Sequence, residues 1–344
     1  MISNPRYTPF FGLTALAFAF CAGPLAAQPA IRQPAPAQPG APKQPNEEGE
    51  KPKVKPPPAP EVVTLDTKDG VSLSCTYYGP KEGVRPGKKV VPIIMVHGWD
   101  SDRRPYSYLA SGLQTYGHAV LTIDLRGHGR STRQRLPNGN VVILNRQQMR
   151  KDALAAMVLA DMDAAKRFLI EKNNKGELNI ELLTVMAASE GALVAINWAA
   201  RDWTRKQLPA FKQGMDVKAM ILLSPSRSHL GFTATQALNH PVVSSRMPTL
   251  VVAGKLDRSV YSDANRLFKG IEKKHPKPKE GGKKKVHFVE LNTELQGMKL
   301  LSPRATTFNR HIANFINAYL VREAANFPAW AKRVDPQDPE APGI

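Results

Sequence analysis

The chain has 344 residues, enough for one large or two medium domains, with 48 Lys and Arg against 29 Asp and Glu and a formal charge of +19. That excess predicts attraction to anionic surfaces. The basic residues are spread along the chain rather than gathered in one aromatic-interleaved patch, which excludes a specific nucleic-acid reader as the first reading. The mature chain would keep one cysteine, Cys75, because Cys21 falls in the leader, so no internal disulfide is expected.

Residues 1–27 read as a secretory signal peptide: Arg6 precedes the apolar run Phe10 to Ala22, and Leu25-Ala26-Ala27 supplies small residues for cleavage. The run is short for a membrane span and no comparable one follows, so an exported protein without a transmembrane domain after cleavage is expected, in the periplasm, outside the cell or at the cell envelope. A retained N-terminal anchor is the rival. Residues 28–60, rich in proline, alanine and glutamine, have too few large apolar groups for a core and predict a semi-extended tether. Residues 61–326 are expected to fold, and 327–344, with four prolines, to form an irregular tail.

The folded part opens on a predicted hairpin, Val62 to Leu65 and Val71 to Tyr77, joined at Lys68-Asp69-Gly70. The pattern then changes. Val90 to Val96, Ala119 to Ile123, Ile180 to Met186, Ala219 to Leu223, Thr249 to Ala253 and Val286 to Leu291 are short runs rich in Val, Ile and Leu, as expected of parallel strands covered on both faces. Between and after them, Tyr106 to Tyr116, Gln148 to Glu171, Ala192 to Ala200, Ser262 to Ile271 and Thr307 to Val321 have helical spacing. The sum is an α/β fold: a mostly parallel eight-stranded sheet in three layers with an antiparallel N-terminal hairpin. The segment 225–246 would be a minimal cap. The densest basic stretch, Lys269 to Lys285, contains glycine and proline and reads as a solvated loop in preference to a nucleic-acid surface.

In open parallel sheets functional groups collect beyond the carboxyl ends of the strands. Those places hold His97-Gly98-Trp99-Asp100, the stretch Asp124 to Ser131, Ser189 and Gly254-Lys255-Leu256-Asp257. Ser189 is the informative one. An apolar run ends at Ala187-Ala188-Ser189-Glu190-Gly191 and becomes a helix pattern, and the small residues two before and two after the serine let strand and helix pass closely, as a nucleophile elbow requires. An ordinary serine at a strand end is the bland alternative.

Taken together these motifs resemble the α/β-hydrolase family, in the serine-aminopeptidase-like and monoglyceride-lipase-like branch, over about residues 62–321. The resemblance implies a Ser189 nucleophile, an Asp257 acid and an oxyanion hole from the backbone amides of Trp99 and Glu190. It departs from the family in two places: Ala187 stands where the elbow usually has glycine, and Gln296, in Leu295-Gln296-Gly297, stands where the histidine is expected. A glutamine amide cannot take a proton from a serine hydroxyl near neutral pH. Asp257 also reads as a turn or helix-cap aspartate. Among the other histidines, His229, after Ser224-Pro225-Ser226, is the substitute candidate for the base, with a plain surface histidine as its alternative.

No compact ligand set accompanies His97, Asp100 and Asp102, and Gly127-His128-Gly129 lacks dinucleotide-loop spacing, so neither a metal nor another cofactor is expected. Two functions remain. One is an exported serine hydrolase of esterase, lipase or peptidase type acting through Ser189 if a base is available; the other is a catalytically impaired homologue, a pseudoenzyme that binds a ligand or partner. The expected partners are a small ester, amide or polymer-end substrate and an anionic cell-envelope polymer.

Overall fold

The computed structural model describes residues 55–333, apart from 207, 209–211, 279 and 303–306. The expected signal segment, residues 28–54 of the expected tether and residues 334–344 of the tail lie outside the described residues. Among the described residues are twelve strands and seven α-helices: β1 Glu61–Asp66, β2 Val71–Tyr78, β3 Pro92–Val96, α1 Ser107–Thr115, β4 Ala119–Ile123, β5 Arg133–Arg135, β6 Val141–Ile143, α2 Lys151–Ala156, α3 Met162–Asn174, β7 Leu183–Ala188, α4 Gly191–Thr204, β8 Val217–Leu223, β9 Ser228–His229, β10 Phe232–Thr233, α5 Pro241–Ser245, β11 Thr249–Gly254, α6 Arg258–Lys274, β12 Val286–Leu291 and α7 Thr307–Ile316.

Ten strands form one sheet in the order β12-β11-β8-β7-β3-β4-β2-β5-β6, with β1 on the other edge of β2. From β4 to β12 the neighbours are parallel, and β1, β2, β5 and β6 add antiparallel. All eight expected strands are present. The count of eight is corrected to ten by the β5–β6 hairpin, which pairs Val71 and Ser72 of β2 beside β4.

The layers follow from alternation along buried strands. On β3, Ile94 and Val96 join the core beneath α3, α4 and α6, with Leu169, Trp198 and Leu267. Ile93 and Met95 face the opposite core beneath α1 and α7, with Leu109, Leu113, Phe308 and Ile312. The helix expected over Gln148 to Glu171 carries a π-helical turn at Met157–Asp161, which puts the Asp161 carboxylate inside, on the Arg126 backbone amide and guanidinium.

The short cap is a two-residue ribbon, β9–β10, a 3-10 turn and α5. Residues 327–333 have neither helix nor strand, yet they are tied down: the Asn173 and Asn174 amides donate to the carbonyls of Ala331 and Arg333, and the Arg333 guanidinium enters a buried ion cluster with Glu181, Asp216, Lys166 and Asp202.

Sheet order reverses at β3, with β4 on one side and β7 on the other. Ligand sites in open α/β sheets form beyond the strand ends at such a switch point.

Candidate active site

Ser189 follows β7 directly and has φ +49, a conformation costly for a residue with a Cβ. The surroundings over-determine it. Its N–H extends the β7–β8 ladder by donating to Leu223 O at 2.9 Å, and its carbonyl accepts from the N–H groups of Ala192 at 3.1 Å and Ser226 at 3.2 Å. A Cβ on Gly191 would lie 2.2 Å from His97 O, so glycine is required where α4 crosses the end of β3. The elbow read from the sequence is the local geometry found.

The loop after β3 supplies the Trp99 amide and is held rigidly. His97, fully buried, donates from Nδ1 to Gly98 O at 2.7 Å and accepts the Leu125 N–H on Nε2 at 3.0 Å, joining the loops after β3 and β4. Burial pushes its pKa down to about 3, so the ring is neutral and both bonds persist at ordinary pH. The Arg146 guanidinium donates to Trp99 O at 2.9 Å. The Trp99 ring packs on His128, with centroids 5.0 Å apart, and on His229, at 4.5 Å.

The Trp99 N–H points at a protein atom. It donates to Glu190 Oε2 at 3.0 Å, while Glu190 Oε1 accepts the Ser226 hydroxyl at 3.0 Å. Sequence reading singled out the Glu190 backbone and missed its side chain; the available signal was a carboxylate directly after the elbow serine.

The loop after β12 reaches Ser189. A Cβ on Gly297, whose φ is +51, would lie 2.0 Å from Ser189 Oγ. Gln296 turns elsewhere: its Oε1 accepts the Ser224 hydroxyl at 2.6 Å and the Gly254 N–H at 3.1 Å, and its Nε2 donates to Gly254 O at 2.7 Å. The amide thereby pairs with both backbone groups of one residue, Gly254, at the end of β11, using a donor and an acceptor at once. Ser224, also at positive φ (+44), ends β8 just as Ser189 ends β7.

Asp257 lies after β11 as expected, and its Oδ1 caps α6 by accepting the N–H groups of Ser259 and Val260, both at 3.2 Å. No hydrogen bond joins it to Gln296 or to a histidine among the described residues. His229 sits on the ribbon, packed on Trp99, with Nε2 buried and, among the described residues, without a hydrogen-bond partner. His240 caps α5, and His275 and His287 contact backbone carbonyls, so each is held by its own local structure. Among the described residues no side chain hydrogen-bonds to the Ser189 hydroxyl. The structure therefore brings Ser189, Trp99, Glu190 and the Gln296–Gly297 loop together and leaves Asp257 as a helix cap.

A family model described as serine aminopeptidase, S33, matches residues 87–280, more than half the chain, a span that includes Trp99, Ser189 and Asp257 and stops before Gln296. Among curated proteins no sequence matches. Among solved structures, the dienelactone hydrolase of Anabaena variabilis aligns at 18% identity over 77% of this chain and 100% of its own, with a TM-score of 0.51. A Rhizomucor miehei esterase aligns at 13% identity over 78% of this chain and 86% of its own, TM-score 0.53. A soluble variant of the Saccharomyces cerevisiae monoglyceride lipase aligns at 10% identity over 79% and 98%, TM-score 0.53. These likenesses describe the fold; the family match, together with the elbow at Ser189, shows that the chain belongs to the serine aminopeptidase S33 family of α/β-hydrolases.

Proposed function

We propose that this chain is an exported member of its family that binds a ligand at the Ser189 elbow and turns over simple esters slowly or not at all. One observation carries the reading: the side chain in the base position, Gln296, is committed to Gly254 and Ser224, and among the described residues nothing with a basic nitrogen is hydrogen-bonded to Ser189. Without a proton acceptor the hydroxyl is a weak nucleophile. In a serine protease, losing the base costs turnover about a millionfold, with about 10³ to 10⁴ over water left to binding and the oxyanion hole.

The ligand class that fits is a small ester or amide, or the end of a polymer, because the cap is short. The charge of +19 supports a second, looser contact with an anionic envelope polymer, and that contact should weaken as salt rises.

A specific observation keeps the hydrolase reading in view. Ser189 retains a strained φ, and His229 presents a buried Nε2 that has no hydrogen-bond partner among the described residues, packed on Trp99 of the oxyanion loop. The test is p-nitrophenyl acetate turnover and fluorophosphonate labelling of the wild-type chain, Ser189→Ala and His229→Ala. Turnover near the buffer rate supports the binding reading. Rapid turnover lost in both variants establishes a serine hydrolase whose base comes from the cap.

A further inference from the structure

The Glu190 carboxylate is held by two neutral donors, the Trp99 N–H and the Ser226 hydroxyl, and no Lys, Arg or His is paired with it among the described residues. It shares its position with the nucleophile. A Cβ on Gly98 would lie 3.3 Å from Glu190 Oε2 and 3.4 Å from Ser189 Oγ, so carboxylate and hydroxyl border the same space, the one left open by the absent side chain of Gly98. In an acyl-transfer site the backbone amide of that loop is the donor that meets the developing oxyanion. Here its hydrogen is already bonded, and to an anion.

We propose that Glu190 is a built-in occupant of the oxyanion site and decides which ligands enter it. A tetrahedral anion such as an alkylphosphonate, or the tetrahedral intermediate of acyl transfer, needs the Trp99 N–H and cannot share it with a charged carboxylate. Such a group binds only after the Glu190 side chain has left Trp99 and Ser226. Neutral ligands that do not require this amide are not excluded. The inference rests on Trp99 and Ser189 forming the nucleophile site, and it adds a reason for low activity that is independent of the missing base. Both arms of the carboxylate contribute. Its charge repels the oxyanion, and its oxygen occupies the hydrogen bond. One oxyanion-hole donor is worth about 10² to 10³ in rate where it has been removed by mutation, which bounds what freeing the Trp99 amide can return.

The experiment is isothermal titration of the mature chain with butylphosphonate, a non-reactive tetrahedral anion, in wild type, Glu190→Gln and Glu190→Ala. Glu190→Ala is expected to bind at least tenfold tighter than wild type. Glu190→Gln, which keeps the acceptor and removes the charge, should fall between them, and its near-identical shape controls for damage to the fold. Equal affinities in all three overturn the proposal. Fluorophosphonate labelling of the same variants and of Ser189→Ala judges the site itself: a label indifferent to Ser189→Ala removes the nucleophile assignment, while the affinity ratio decides the role of Glu190. Rapid wild-type labelling at Ser189 would show an open oxyanion site and also overturn the proposal.

Discussion

Replacing Gln296 by histidine would restore the residue type expected in the base position, and the structure predicts that this alone recovers little. The glutamine amide makes three hydrogen bonds, from Ser224 Oγ at 2.6 Å, from Gly254 N–H at 3.1 Å and to Gly254 O at 2.7 Å. A neutral imidazole has one donor and one acceptor, so at least one of these is lost, and all are lost if the ring turns to Ser189. Each part-buried group left unsatisfied costs about 1–3 kcal/mol. Gln296→His should therefore be destabilised by about 1–3 kcal/mol, a fall of roughly 2–12 °C in Tm for a domain of this size. Activity on p-nitrophenyl acetate should rise less than about tenfold. Two obstacles remain after the change: Asp257 is committed to the α6 amides and Glu190 holds the Trp99 N–H. The double variant Gln296→His with Glu190→Ala should gain more than the two single effects combined, up to the further factor of about 10² that one oxyanion donor supplies. Thermal melts and initial rates on the four proteins measure this. An unchanged Tm together with a large gain from Gln296→His alone would refute the reasoning, since it would mean that the amide contributes nothing where it lies and that the rest of the site is ready.

Gly191→Ala should lose about 3 kcal/mol in urea unfolding, because its Cβ would lie 2.2 Å from His97 O, a backbone atom that cannot swing away; wild-type stability would show that the elbow has room. His97 and His118 are buried with pKa values held at about 3 by desolvation, below their ordinary value of 6.5. Between those limits the unfolded chain binds the protons and the folded one does not, so stability is full above about pH 6.5 and declines as the pH falls toward 3. Each ring should remove about 2–3 kcal/mol between pH 6.5 and 4.5; urea midpoints that stay flat across that interval would contradict burial of neutral imidazoles. Trp99→Ala should release the His229 ring, which packs on the indole, while Glu190 stays bonded to the residue-99 backbone N–H, visible by NMR as changed His229 ring shifts with the residue-99 amide still protected; unchanged His229 shifts would locate the restraint elsewhere.

Most of the fold was legible because strands buried on both faces are short uninterrupted runs of Val, Ile and Leu, a pattern set by solvent exclusion alone. The missed hairpin carries Arg133-Gln134-Arg135 and the exposed Val141 and Ile143 on a sheet edge, where no apolar face is imposed; its usable signal was Asn138-Gly139, with Gly139 at φ +86. The helix from Lys151 onward was legible as a whole, but its π-helical turn was not, because that turn answers to Arg126, which lies on a different loop.

The sequence by itself determined where the elbow lies and that no histidine stands in the loop after β12. Small residues around a serine between an apolar run and a helix leave one local conformation, and Gln296 is a fact of composition at one position. Tertiary structure alone decided what the polar side chains of the site do. Glu190 finds its amide 91 residues away, and Gln296 finds Gly254 and Ser224 at separations of 42 and 72. A polar side chain commits to whichever donor or acceptor the fold brings within about 3 Å, and only the packed sheet brings those loop ends together.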